Sequence, residues 1–206
     1  MAEQTIRQEV VSFDNEELIL VDDQDHEIGY LDKARAHEGE AVLHRAFSLF
    51  VFNSRGELLL QKRAEGKRLW PGFWSNSCCS HPRRGETMAI ATQRRLRQEL
   101  GIETGLEYIY KFQYHAQFDP SGAERELCWV FLGQSDQAPR INALEIADWR
   151  YVAVADLERE MDQRPEDFTP WFKLEWQRLN GEFRSRLEPY LDGRGGGLAA
   201  AVGAEL

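Results

Sequence analysis

The sequence lacks several features that define whole classes of protein. No apolar run approaches the roughly 20 residues that a bilayer-spanning helix needs, and the first residues lack the basic and apolar regions of a secretory signal. The three cysteines, Cys78, Cys79 and Cys128, are an odd number, which favours free thiols over a disulfide framework. No glycine-rich dinucleotide loop is present, so neither a flavin nor a nicotinamide cofactor is expected. These absences predict a cytoplasmic protein without a membrane partner.

The charge is unevenly distributed. The formal net charge is -10, and a field of that sign repels nucleic acid, so no nucleic-acid partner is expected. Residues 61–84 nevertheless carry a net +5, which leaves -15 for the rest of the chain. A compact basic patch in an acidic protein suits a small anionic ligand better than a polyanion.

Composition and pattern predict the fold class. The 206 residues are 42% hydrophobic and 29% charged, an ordinary globular composition. The length suits one sizeable core, with two small domains as the alternative. Strands are predicted over 17–22, 28–31, 44–53, 57–63, 107–118, 124–132 and 149–152, and helices over 87–100, 154–162 and 170–189. Mixed strands with few helices between them indicate an α+β fold in which helices flank a mixed central sheet in one compact domain.

The domain boundaries follow from the same pattern. Residues 1–16 are predicted to form an N-terminal arm and residues 17–191 the domain. The remaining residues, 192–206, are rich in glycine and alanine and are predicted to form a flexible tail.

Two pairs of residues show the spacing of a strand. Residues i and i+2 of an extended segment face the same side, so Cys79 and His81 are expected to enter one pocket together, as are Glu124 and Glu126. With His37 and His44 added, three imidazoles and two carboxylates form a mixed donor set suited to zinc, manganese or magnesium. Spacing alone does not assemble these residues, and isolated core or surface histidines are the alternative interpretation.

The segment from Ser80 to Ile102 resembles a known motif. Its pattern is S-x5-E-x7-R-R-L-R-Q-E-L-G-I, and the Nudix box is G-x5-E-x7-R-E-U-x-E-E-x-G-U, where U is apolar. The sequence departs from the box where Ser80 replaces the glycine and where Arg95 and Gln98 replace two glutamates. Nudix hydrolases use clustered carboxylates to bind metals and activate water, so the loss of two weakens a hydrolytic interpretation.

One branch of the superfamily shows this altered box, namely the type I isopentenyl-diphosphate isomerases. The resemblance runs from about residue 18 to residue 176 and rests on LHRAFS (43–48), WPGFWSNSCCSHP (70–82), RRLRQELG (94–101), YHAQFDPSGAERE (114–126) and TPWF (169–172). It implies a Nudix-like α/β/α fold. It also implies a divalent metal, Mn²⁺, Zn²⁺ or Mg²⁺, held by residues matching His37, His44, His81, Glu124 and Glu126. A second ion, Mg²⁺, bridges the residue matching Glu99 to the substrate diphosphate.

The resemblance also assigns roles in catalysis and substrate binding. The diphosphate is held by residues matching Lys33, Arg63 and Lys67, with assistance from Arg83. The implied reaction isomerises isopentenyl diphosphate to dimethylallyl diphosphate in isoprenoid biosynthesis, and it adds one proton to an alkene and removes another. Cys79 and Glu126 are the expected proton-transfer pair, Tyr114 orients or relays a proton, and Trp171 stabilises the cation. The only expected partner is the prenyl diphosphate, bound by a monomer or weak homodimer.

Three other functions stay open at the level of sequence. A Nudix hydrolase of diphosphates would release phosphate and tolerate loss of Cys79. A non-catalytic metal or prenyl-diphosphate binding module would tolerate Cys79→Ala and Glu126→Gln with changes in affinity alone. A cysteine hydrolase using Cys79 and His81 is the weakest of the three, because no orienting acid is evident.

Overall fold

A mixed sheet organises the structure, a computed structural model that describes residues 9–197. These residues form nine strands: β1 (Glu17–Val21), β2 (Glu27–Asp32), β3 (His44–Phe52), β4 (Leu58–Arg63), β5 (Trp74–Ser75), β6 (Cys78–Ser80), β7 (Leu106–Asp119), β8 (Gly122–Gln134) and β9 (Ile146–Val152). They also form the helices α1 (Lys33–Ala36), α2 (Met88–Leu100), α3 (Val154–Gln163), α4 (Pro170–Asn180) and α5 (Arg184–Leu191).

Strand β3 connects the parts of the sheet. It pairs antiparallel with β1, β4 and β6, and parallel with β8. Strand β8 returns antiparallel to β7 in a long hairpin, and β4 pairs antiparallel with β5 and β9. The parallel register sets His44 opposite Glu126, and the register of β6 sets Ser48 opposite Cys79. The sheet itself therefore brings distant segments of sequence to one place.

Alternating residues of β3 serve two different cores. Phe50 and Phe52 belong to a cluster with α4 and α5, whereas Phe47 and Leu49 pack with α2 in a second cluster. Each fully buried aromatic or aliphatic side chain contributes about 1.5–3 kcal/mol relative to exposure. Helices therefore cover both faces of a mixed sheet, which confirms the predicted α+β class and the single compact domain.

Helix α2, which carries the box motif, has a clear start and stop in its sequence. The Thr87 hydroxyl accepts a hydrogen bond from the Ile90 amide at 3.3 Å and caps the first turn. Gly101 ends the helix with φ +63°, and its amide donates to the Arg97 carbonyl. Glycine adopts this left-handed conformation without a Cβ clash, so the predicted end of the helix is confirmed.

The predicted single helix over 170–189 is wrong. The structure has two helices there, and Gly181, with φ -101° and ψ -85°, leaves the helical region between them. Glycine costs about 1 kcal/mol relative to alanine inside a helix. The chain can therefore turn at this residue, and α5 then packs Leu187 and Tyr190 into the core.

Both termini include segments beyond the described residues. The first half of the predicted arm, residues 1–8, lies outside them, as does the end of the predicted tail, residues 198–206. Of the tail, the Gly193 carbonyl accepts from Gln134 Nε2 at 2.8 Å, and the Gly196 amide donates to Gln134 Oε1 at 2.7 Å. Within residues 9–197, none of the helices combines the length and apolar character that crossing a bilayer requires.

Candidate active site

Five side chains predicted to bind a metal meet in one buried cluster. They are His37, His44, His81, Glu124 and Glu126, and one potential ligand atom from each lies within 4.8 Å of those of the others. His37 follows α1, His44 begins β3, His81 follows β6, and the two glutamates alternate along β8. The structure thus brings together four segments of sequence that spacing alone left apart.

Hydrogen bonds to the backbone orient two of the imidazoles. Nδ1 of His37 donates to the Lys33 carbonyl and Nδ1 of His44 to the Val42 carbonyl, each at 2.7 Å. These bonds leave Nε2 of each ring facing the cluster. Burial lowers the pKa of His37, but the Glu124 carboxylate, 2.8 Å from Nε2, and the hydrogen bond to the Lys33 carbonyl together outweigh burial and raise the pKa above its ordinary value.

Unpartnered atoms in the cluster indicate that the donor set suits a cation. Within the part of the chain that the structure describes, His44 Nε2 and His81 Nδ1 are buried and have no hydrogen-bond partner. Buried polar atoms are normally paired, so these atoms need a ligand. Three imidazoles and two carboxylates form a nitrogen and oxygen set that fits a divalent metal.

Cys79 lies beside this cluster and is held by neutral groups. Its thiol donates to Asn76 Oδ1 at 2.9 Å, and its sulfur accepts from Trp171 Nε1 at 3.2 Å. Burial, and then the nearby Glu175 carboxyl, raise the pKa of Cys79 to about 12. A neutral thiol is a proton donor and a poor nucleophile, which argues against the cysteine-hydrolase alternative. The adjacent Cys78 points to the opposite face, where it is fully buried in the second core cluster.

Tyr114 connects the aromatic part of the site to Glu126. Its hydroxyl donates to Glu126 Oε2 at 2.6 Å across the β7–β8 pair, in which the two residues are directly opposite. Burial and the negative charge of Glu126 raise the pKa of Tyr114 well above its ordinary value. Burial disfavours the ionised form of Glu126, but the His44 imidazole, 3.7 Å from Oε1, and the hydrogen bond from Tyr114 hold the pKa of Glu126 below its ordinary value. The tyrosine therefore stays protonated beside an ionised carboxylate.

A cavity of about 470 Å³ opens onto these residues. Part of its lining is what we call the reaction wall, formed by Cys79, Tyr114, Glu126 and Trp171. A second part, the basic wall, consists of Lys33, Arg63, Lys67, Arg68 and Arg95. Arg63 connects the two, because its guanidinium carbon lies 5.2 Å from the centre of a Trp171 ring. The cavity thus offers a cationic surface and a thiol–carboxylate–aromatic surface to one ligand.

The basic wall is paired with buried acids. Lys67 contacts Glu145, and Arg95 Nη2 lies 3.4 Å from the same carboxylate. Burial, and then the charges of Lys67 and Arg95, lower the pKa of Lys33 to about 8. Cations gathered this closely are stabilised by an anion of high charge.

Arg95 is a cavity residue that the sequence analysis missed. Its Nε donates to Glu99 at 2.8 Å, and its Nη1 donates to the Val11 carbonyl at 2.6 Å. The i to i+4 spacing of Arg95 and Glu99 on a helix was the available signal for this pair. The sequence showed only that an arginine had replaced a box glutamate, which we interpreted as a loss.

Apart from His44 of the metal cluster, two predicted site residues lie outside the cavity lining. Glu99 is buried and paired with Arg95, and Arg83 donates to the Val11 carbonyl at 3.3 Å and also contacts Glu16. Their roles in binding Mg²⁺ and the diphosphate stay predictions. The second half of the predicted arm is held close by, since Val10, Ser12 and Asp14 line the cavity.

Glu175 is a second residue that the sequence analysis missed. It is fully buried on α4, one turn after Trp171, and its Oε1 accepts from the Cys128 thiol at 3.4 Å, while Oε2 has no hydrogen-bond partner among the described residues. Burial raises the pKa of Glu175 to about 8. No sequence signal marked this position, because a glutamate on an amphipathic helix is normally exposed.

Comparison with known proteins gives the family. A family model of the NUDIX domain matches residues 42–172. Isopentenyl-diphosphate Delta-isomerase 1 of Photorhabdus laumondii is 43% identical over 78% of this chain and 93% of its own length. The isopentenyl-diphosphate Delta-isomerase of Escherichia coli is 42% identical over 85% of this chain and 96% of its own length. The enzyme of the same name from Pectobacterium atrosepticum is also 42% identical, over 79% of this chain and 90% of its own length.

Solved structures agree on the fold. The DR0079 protein of Deinococcus radiodurans has a TM-score of 0.59 at 23% identity and covers 72% of this chain and 90% of its own. At 23% identity, this similarity supports a shared fold and nothing about function. The family model and the similarity to curated isomerases over most of the chain show that this protein belongs to the isopentenyl-diphosphate Delta-isomerase family of NUDIX-domain proteins.

Proposed function

We propose that the cavity isomerises isopentenyl diphosphate to dimethylallyl diphosphate, with Cys79 and Glu126 as its two proton-transfer groups. The observation that carries this proposal is the meeting of Cys79, Tyr114, Glu126 and Trp171 in one cavity with a cluster of cations. The relatives that cover most of the chain are named for this isomerisation. The substrate has an alkene at one end and a diphosphate at the other, which match the reaction wall and the basic wall of the cavity.

The basic wall would bind the diphosphate. Lys33, Arg63 and Lys67 were predicted for this role, and the position of Arg95 in the same lining supports a fourth cation. Hydrogen bonds between ionised groups are shorter and roughly twice as strong as neutral ones. Binding energy gained at the diphosphate, remote from the reacting carbons, is available to hold the alkene in place.

The reaction wall would move the protons. Isomerisation forms a bond between a proton and C4 of the alkene and breaks a C–H bond at C2, through a state with positive charge at C3. One of the two groups, Cys79 or Glu126, gives its proton to C4, and the other takes the proton that leaves C2. The pair therefore still holds one proton after the reaction, but on the opposite group, and a transfer back to the first group completes the cycle. Tyr114, bonded to Glu126 at 2.6 Å, is placed to orient or relay that proton.

Trp171 would stabilise the developing cation. Its Nε1 donates to Ser75 at 3.1 Å and to Cys79 at 3.2 Å, which fixes the plane of the indole. A cation over a tryptophan face gains about 2 kcal/mol when water is excluded. The aromatic lining also limits the water that would quench the cation.

Two divalent metals belong to this proposal. His37, His44, His81, Glu124 and Glu126 would hold one ion, Mn²⁺, Zn²⁺ or Mg²⁺, and Glu99 would hold Mg²⁺ that arrives with the diphosphate. A bound ion would supply positive charge that lowers the proton affinity of Glu126 and neutralises the diphosphate. No flavin is part of the proposal.

Deuterium exchange tests the function directly. The protein is incubated with isopentenyl diphosphate and Mg²⁺ in D₂O, and the substrate and product are followed by NMR and mass spectrometry. We expect dimethylallyl diphosphate that carries deuterium, with both phosphates retained. Cys79→Ala and Glu126→Gln should each abolish incorporation, while Cys78→Ala should not.

The other outcomes separate the alternatives. Phosphate release in place of isomerisation would support a Nudix hydrolase, and binding without exchange would support a binding module. The cytoplasmic location and the monomer or weak homodimer stay predictions, which fractionation and analytical ultracentrifugation would test.

A further inference from the structure

Trp70 has an unusual backbone conformation for its residue type. Among residues 9–197, only Asp25, Ala41 and Trp70 have a positive φ without being glycine, and the φ of Trp70 is +48°. A bulky side chain in the left-handed region is a genuine outlier, and surrounding contacts must hold it there. Trp70 is 4% exposed and packs in the same core cluster as Trp171. Its conformation therefore has a structural cost that calls for an explanation.

The backbone around Trp70 binds the Arg63 guanidinium. Nε of Arg63 donates to the Trp70 carbonyl at 3.1 Å, and Nη2 donates to the Leu69 carbonyl at 2.8 Å. Successive carbonyls alternate in extended backbone, whereas a residue in a helical region of either hand turns its own carbonyl and the preceding one to the same side. At Trp70, the two consecutive carbonyls of Leu69 and Trp70 both accept from the Arg63 side chain.

The Trp70 ring contacts Trp171. The two ring centroids are 5.2 Å apart, with an interplanar angle of 89°, which is a favourable edge-to-face arrangement. Phe118 packs against Trp70 at 5.1 Å and holds the ring from another side. Trp171 lines the cavity, whereas Trp70 does not. Trp70 is thus a neighbour of the cavity residue and makes no direct contact with a ligand there.

Arg63 and Trp171 are therefore both held by the same residue. One is fixed through the Trp70 carbonyl and the other through its ring, and the Arg63 guanidinium carbon lies 5.2 Å from the centre of a Trp171 ring. We propose that Trp70 is a positioning residue that sets the separation between the diphosphate-binding and alkene-binding parts of the cavity. This inference rests on the proposed function, because it takes Arg63 and Trp171 as substrate contacts.

Backbone and ring can be tested separately with three substitutions. Trp70→Gly removes the ring but accepts a positive φ without strain, so the carbonyls that hold Arg63 stay in place. Trp70→Ala removes the ring and also resists that φ, so the carbonyls are expected to shift. Trp70→Phe keeps an aromatic ring and the strained backbone. Trp149→Ala is the matched control, because Trp149 is a half-buried tryptophan of β9 in contact with the second core cluster.

We expect a division between kcat and KM for isopentenyl diphosphate. Trp70→Gly should lower kcat by about 100-fold with KM nearly unchanged, since small misplacements of a reacting group have effects of this size. Trp70→Ala should show the same loss in kcat and also raise KM by about tenfold, the effect of a weakened charged hydrogen bond. Trp70→Phe and Trp149→Ala should stay close to the wild type in both constants.

A double-mutant cycle with Trp171→Ala tests whether Trp70 acts through that ring. If it does, Trp70→Gly should lower kcat much less in the Trp171→Ala background than in the wild type. Thermal unfolding of each variant ensures that only folded protein is compared. Trp70→Leu keeps a large apolar side chain without an aromatic ring, so it should lower kcat as Trp70→Gly does and provides the measurement if the smaller side chains fail to fold. Near-ultraviolet circular dichroism should lose a Trp70–Trp171 coupling signal in Trp70→Gly and not in Trp149→Ala.

The results that overturn this inference differ from those that overturn the function. Wild-type kcat in folded Trp70→Gly, or full additivity with Trp171→Ala, would reject Trp70 as a positioning residue while the isomerase stands. Equal losses in Trp70→Gly and Trp149→Ala would reject it too, because any core tryptophan would then matter as much. A wild-type protein that does not isomerise the substrate would reject the proposed function, and with it the positioning role.

Discussion

The two walls of the cavity hold their polar groups in different ways. On the basic wall, Lys67 and Arg95 share the buried carboxylate of Glu145, so charge is paired with charge. At the reaction wall, Cys79 is held by the neutral side chains of Asn76 and Trp171. A diphosphate must therefore compete with protein carboxylates on one wall, whereas on the other the alkene meets groups that carry no net charge apart from Glu126.

Two buried acids, Glu145 on the basic wall and Glu175 behind the reaction wall, show the same contrast. Burial raises the pKa of Glu145, but the charges of Lys67 and Arg95 together outweigh it and hold the pKa below its ordinary value. Glu175 packs behind the reaction wall against Cys128 and Ser48 and has no cationic partner among residues 9–197, and burial raises its pKa to about 8. Burial is common to both, and only the partner differs. Substitutions on the basic wall should therefore change KM for the substrate, and substitutions on the reaction wall should change kcat.

The largest expected effect separates the two adjacent cysteines. Cys79→Ala should lower kcat by at least about 10³-fold with a small change in KM, because it removes a proton-transfer group. Cys78→Ala, one residue away on the opposite face of the strand, should retain wild-type kcat. Steady-state kinetics with isopentenyl diphosphate measures both. Equal losses in the two variants would mean that strand packing, and not the thiol, matters.

Metal binding is the next effect in size. The cluster has buried atoms without hydrogen-bond partners, so we expect a divalent ion to bind the folded protein there. At 100 times its Kd, an ion that binds only the folded state should raise the free energy of unfolding by about 2.7 kcal/mol. Glu124→Gln should reduce this gain, and His115→Gln, which changes an exposed histidine of β7, should leave it unchanged. Urea unfolding with Mn²⁺, Zn²⁺ or Mg²⁺ after chelation measures it. Equal gains in Glu124→Gln and wild type would place the ion elsewhere.

A smaller effect is expected when one cation is removed from the basic wall. Lys67→Met should raise KM about tenfold with little change in kcat, since it removes one charged hydrogen bond to the diphosphate. Arg97→Met removes the same charge from an exposed residue of α2 outside the cavity lining, so it should leave KM close to the wild-type value. A rise in KM for Arg83→Met would support the predicted role of Arg83 at the diphosphate.

The last effect concerns Glu175 and the pH dependence of stability. Between its unfolded pKa of 4.5 and its folded pKa of about 8, the native state binds more protons than the unfolded chain. The free energy of unfolding should therefore fall by roughly 1 kcal/mol per pH unit as pH rises through this window.

Glu175→Gln cannot ionise and should remove that slope. Urea unfolding at pH 5.5, 6.5 and 7.5 measures the difference, and Glu182→Gln, an exposed acid, is the control. Identical slopes in wild type and Glu175→Gln would show that this carboxyl is ionised throughout.

Local sequence signals predicted most of the secondary structure. The apolar run of β3, the cap at Thr87 and the stop at Gly101 are properties of neighbouring residues, so they can be interpreted without the rest of the chain. The break at Gly181 was missed because the apolar pattern continues across it into α5. A repeating pattern indicates which residues are buried, but it does not show whether one helix or two bury them.

The candidate site was predicted in part for the same reason. Motif resemblance selected the five cluster residues, and the structure brings them together because β3 and β8 are parallel and in register at His44 and Glu126. Arg95 and Glu175 were not selected, since their importance depends on Glu145, Cys128 and other residues distant in sequence.

The sequence by itself determined the element types, the family and the identity of the candidate metal and proton-transfer residues. These depend on local spacing, on capping and on motif identity. Only the tertiary structure decided which cations share the cavity with Cys79, which acids neutralise them, and that Trp70 adopts a positive φ. The physical reason is that pKa shifts, ion pairs and backbone strain depend on distances and on burial, and the fold sets both only after residues far apart in the chain have come into contact.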